Sequence, residues 1–134
     1  MGAWGHGAFE NDDASDWLYE LEDDSDGHVL MEALDVSGED YLEAPEGAVA
    51  VAAADVVAAA QGRPAAGLPD EATAWVKANR SIVRPEYRAA ALVAVDRVLN
   101  DGSELRDLWS DSEDGGHKWI AALNDIRRRL QEST

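Results

Sequence analysis

Apolar side chains recur along this chain at the spacing of a helix, and nowhere in the sustained alternation of a strand. Asn11 is a good helix N-cap, Asp12 and Asp13 suit the positive end of a helix dipole, and Ala14, Trp17, Leu18 and Leu21 follow at i, i+3, i+4 and i+7. This predicts a first amphipathic helix reaching about Glu22. An acidic turn, Asp23 to Gly27, precedes a shorter helix carrying Val29, Leu30, Ala33 and Leu34, which stops near Ser37 and Gly38.

Pro45 and Gly62 bracket a third helix that is apolar around most of its circumference, as a central helix must be. The stretch GRPAAGLPD reads as a linker. Pro69, Asp70 and Glu71 then open a fourth helix, with Ala72, Trp75 and Val76 on one face, ending near Arg80. Pro85 opens a fifth with the stripe Ala91, Leu92, Val95, Val98 and Leu99, punctuated by Gly102. Ser103 caps a short sixth helix bearing Leu105, Leu108 and Trp109. The last helix carries Trp119, Ile120, Leu123, Ile126 and Leu130, with Arg127, Arg128 and Arg129 at the negative end of its dipole. The expected architecture is all-α: a single compact irregular bundle of about six or seven helices spanning residues 1–134.

Composition supports a folded chain. Its 134 residues are 46% hydrophobic with five Trp, enough apolar area to offset ordering entropy. The absence of cysteine excludes disulfides, thiolate ligands and a thiol nucleophile. MGAWGHGAFENDD has neither a basic n-region nor an apolar run, and His6 breaks the myristoylation pattern after Gly2. The most apolar window, Ala48 to Ala60, is mostly alanine and contains Asp55, so it reads as a buried helix rather than a membrane span. A cytoplasmic location is expected.

Charge changes the picture. The net charge is −17, yet residues 1–62 hold 16 of the 28 acidic residues and no Lys or Arg, whereas the rest carries 12 acids and 11 bases. Arg63 is the first basic residue. Such a field repels phosphate backbones and anionic membranes, so neither nucleic acid nor a membrane is an expected partner. A basic protein surface is. The bland reading is that acidity keeps a small protein soluble.

The chemical templates find little. Read as a calcium loop from Glu22, the chain places Asp24, Asp26 and Gly27 correctly but puts Ala33 where the bidentate Glu belongs, with Glu32 one place early. Asp24, His28 and Glu32 would stack at i, i+4, i+8 if the second helix began early, but Gly27 argues against that. No helical His pair, phosphate loop or nucleophile elbow is present, so no metal site, cofactor or catalytic residue is expected.

The opening block is the candidate site. Trp4, His6, Asn11, Asp12, Asp13, Asp16 and Trp17 could line a polar recess for a cationic group with an aromatic wall. The structural alternative has Trp4 and Phe9 covering the end of the bundle against Trp17.

MGAWGHGAFENDDASDW resembles the opening of the bacterial family catalogued as domain of unknown function 4259. QGRPAAGLPDEATAWV, DRVLNDGSELRDLW and HKWIAALNDIRRRL are also similar to that family, so the likeness covers nearly the whole chain. It implies a small bacterial protein and carries no residue roles across. Two functions follow as expectations. The first is a non-enzymatic protein-binding module, immunity or antitoxin-like, whose acidic half meets a basic partner. The second is a small-molecule or metal-dependent enzyme using the His/Asn/Asp cluster. Oligomeric state is not readable from the sequence.

Overall fold

The computed structural model describes residues 7–36, 38 and 40–132. Among these, the chain forms α1 (Asp12–Glu22), α2 (His28–Leu34), α3 (Ala44–Ala60), α4 (Asp70–Asn79), α5 (Pro85–Leu99), α6 (Glu104–Ser110) and α7 (His117–Glu132). A single 3₁₀ turn, Arg80–Ile82, links α4 to α5. The described residues contain no strand, and the protein is an all-α bundle as the periodicity predicts.

α3 is the axis of the bundle. Every residue from Ala50 to Ala60 is buried, and α3 packs against all six other α-helices. Its alanines explain this: small side chains allow neighbouring helices to approach from every side, while Val51, Val56 and Val57 fill the space between them. The start of α3 is capped from a distance. Leu42 exchanges backbone hydrogen bonds with Gly102 and Glu104, and the Glu104 carboxylate accepts from the Ala44 N–H at 2.7 Å. A negative group thereby meets the positive end of the central helix.

Two sequence expectations at helix starts are met in detail. Asn11 Oδ1 accepts from the Ala14 N–H at 2.8 Å, and Ser103 Oγ accepts from the Arg106 N–H at 3.3 Å. Both satisfy N–H groups that have no partner within their own helix.

The interruption of the apolar run at Asp55 has a partner. Asp55 and Arg129 are both buried, and Arg129 Nη2 donates to Asp55 Oδ1 at 2.9 Å. Arg129 also donates to Arg63 O and to Asp125, each at 2.9 Å, so one guanidinium joins α7, α3 and the segment after α3. Arg129 is therefore more than a helix-end charge. Burial pushes the Asp55 carboxyl up from its ordinary value, against the opposing pull of Arg129.

Candidate functional site

α2 begins at His28, and the turn before it decides how the helix sits. Asp24 is buried, and its carboxylate accepts from three N–H groups: Asp26 at 3.3 Å, Gly27 at 2.9 Å and Leu30 at 3.2 Å. Gly27 occupies the left-handed region at φ +86°, and an added Cβ would run into the Tyr87 hydroxyl. The Trp75 indole donates to Asp24 O at 2.8 Å, fixing the turn against α4. Thus the segment that resembles a calcium loop works as a cap for α2.

Asp24, Asp26 and His28 bring one potential ligand atom each within 4.8 Å of one another, the only such cluster among the described residues. His28 Nδ1 lies 2.5 Å from Asp26 Oδ1 and 3.5 Å from Asp24 Oδ1. The hydrogen bond to His28 lowers the Asp26 pKa, and the same bond raises that of His28. Asp24 is already occupied by backbone donors, so the cluster is accounted for as a helix start and its side-chain partner.

With α2 held in this way, Leu30 and Leu34 enter the core while Val29 and Ala33 are only half-buried. These two, with Val36 and with Pro45 and Val49 of α3, floor a groove of about 360 Å³ that Trp17 closes at the α1 side. Four exposed carboxylates rim it: Glu20 of α1, Glu32 and Asp35 at α2, and Glu46 of α3. No Lys or Arg lines it. Among the described residues, none of these four carboxylates forms an ion pair with an arginine or lysine. The rim is thus uncompensated among the described residues, and an apolar floor with a negative rim suits a cationic group carried on an apolar stem.

The candidate residues of the opening block are placed as follows. Trp4 and His6 lie outside the described residues. Asn11 is engaged as the α1 cap. Asp12, Asp13 and Asp16 are exposed on the first turns of α1, whereas Trp17 is buried in the core and borders the groove. The structure brings none of Asp12, Asp13 and Asp16 into the groove. The groove carboxylates were missed because Val29 and Ala33 count as core by periodicity. The signal was available: α2 carries two adjacent apolar stripes, Leu30/Leu34 and Val29/Ala33, and a seven-residue surface helix buries only one.

A family model described as Domain of unknown function (DUF4259) matches residues 2–122. The chain belongs to this family. The match to DUF4259 takes in α1 to α6, the groove and the first turns of α7. No curated protein and no solved structure matches the chain. No helix of this DUF4259 protein, among the described residues, is long and apolar enough to cross a membrane.

Proposed function

We propose that this DUF4259 protein is a non-enzymatic binding module of the bacterial cytoplasm that receives a basic segment of a partner protein in the α1–α2–α3 groove. The observation that carries the reading is the groove itself: half-buried Val29, Ala33 and Val49, with Val36 beneath them, lie between the exposed carboxylates Glu20, Glu32, Asp35 and Glu46. An apolar floor supplies burial energy for the stems of Lys or Arg, and the rim supplies steering and register. The described residues contain no strand edge to pair with an extended chain, so the mode that fits is an amphipathic helix laid into a groove between helices. Like charges oppose a second copy docking through the same face. A small acidic protein that covers a basic partner fits an immunity or antitoxin-like role.

The test is titration of the full chain with a synthetic amphipathic helix of alternating lysine and leucine faces. We expect saturable binding that weakens as salt is added. Replacing Glu32 and Glu46 by Lys should cost about tenfold in affinity. Binding that is indifferent to both salt and these substitutions contradicts the reading.

A further inference from the structure

A second recess lies on the opposite flank of α1, where the α4 side of the bundle begins. Its volume is about 180 Å³, the size of one side-chain headgroup rather than a peptide. Phe9 and Tyr19 supply aromatic walls, Leu18 and Pro69 close the apolar base, and Glu22 and Glu71 stand at the mouth. Tyr19 is 71% exposed, the most open large apolar side chain among the described residues. Neither glutamate forms an ion pair with a cation among the described residues.

We infer that this recess is a binding site for an organic cation, a guanidinium or ammonium head on a short apolar stem. An aromatic face attracts a cation through its quadrupole, and the attraction strengthens where water is partly excluded. Two carboxylates at the mouth neutralise the charge, and Phe9, Leu18 and Pro69 cover the stem. The recess shares Glu22 and Glu71 with a wider depression of about 480 Å³ along α4, lined also by Asp70, Ala74 and Asn79. That depression gives the rest of the cation-bearing molecule a way out over an acidic surface. The cationic recess sketched by the opening block thus has a counterpart here, with Phe9 and Tyr19 in place of Trp4 and Trp17 and with glutamates in place of Asp12, Asp13 and Asp16. The site is independent of the α1–α2–α3 groove, because the two share no residue.

The experiment follows the Phe9 and Tyr19 ring resonances of the full chain during titration with N-acetyl-arginine amide, tetramethylammonium and the neutral isostere N-acetyl-citrulline amide. A short arginine-containing peptide distinguishes a protein-borne cation from a free one: tighter binding by the peptide assigns the site to a partner side chain, and equal binding assigns it to a small cation. The cations should shift these rings saturably and citrulline should not. Tyr19→Ala should weaken the cations about fivefold. Glu22→Gln with Glu71→Gln should do the same, while Glu32→Gln in the other groove should leave them unchanged. Tyr19 is exposed, so an unaltered thermal melt of Tyr19→Ala is expected and separates lost binding from lost fold. Citrulline binding as well as arginine, or no saturable shift with any cation, overturns the inference.

Discussion

At the scale of single residues, the groups that matter most are those the bundle buries with a charge. Asp55 sits inside the central helix and is answered by Arg129, so removing Arg129 leaves Asp55 buried without compensation. Arg129→Ala should lower stability by about 3–5 kcal/mol, whereas replacing both together, Asp55→Leu with Arg129→Met, should recover most of that loss. Urea unfolding of the three proteins checks this. His28 and Asp26 make the opposite case, an exposed pair whose effect is readable by titration. His28 is raised and Asp26 lowered. The pair's contribution is therefore intact between the two values; it is lost as pH rises through the raised His28 pKa and as pH falls through the lowered Asp26 pKa. Asp26→Asn should bring the His28 pKa, followed by its ring proton shifts, back toward the ordinary 6.5.

At the scale of helices, the turn before α2 holds more of the design than its length suggests. Gly27→Ala forces a Cβ onto a left-handed backbone and against Tyr87, so it should destabilise the protein by at least about 1–2 kcal/mol in thermal or urea unfolding. The helices themselves were legible in the sequence because their signals are local: Asn11 and Ser103 cap where expected, Pro45 and Pro85 open helices, and the Leu123–Ile126–Leu130 stripe faces inward. What was not legible depends on partners far along the chain. Glu104 caps α3 across sixty residues of sequence, and Arg129 reaches Asp55 across 74. Leu108, placed on an apolar face by spacing, is 38% exposed because α6 is only seven residues long and buries chiefly Leu105. The groove escaped for the same reason. Periodicity states that Val29 and Ala33 are apolar, but only the packing of α1, α2 and the start of α3 leaves them half-buried on the floor of a groove.

At the scale of the whole molecule, the charge boundary at Arg63 becomes a division of labour. Most arginines of the second half are engaged within the fold: Arg106, Arg127, Arg128 and Arg129 with carboxylates, and Arg88 and Arg97 with backbone carbonyls. The rim carboxylates Glu20, Glu32, Asp35 and Glu46 are exposed with no cation beside them among the described residues, and their mutual repulsion costs stability in the free protein. Neutralising the rim with Glu32→Gln and Glu46→Gln should therefore raise the thermal midpoint while weakening a basic ligand, the signature of charge kept for binding rather than for folding. The most direct measurement compares two charge-reversed proteins, Glu32→Lys with Glu46→Lys and Asp12→Lys with Asp13→Lys, against the same basic amphipathic helix at low salt. The two carry equal net charge, so bulk attraction is held constant. The proposed function predicts a loss of about tenfold for the groove pair and a much smaller one for the α1 pair. Equal losses would mean that the ligand feels only the overall charge, and would contradict the groove as the site.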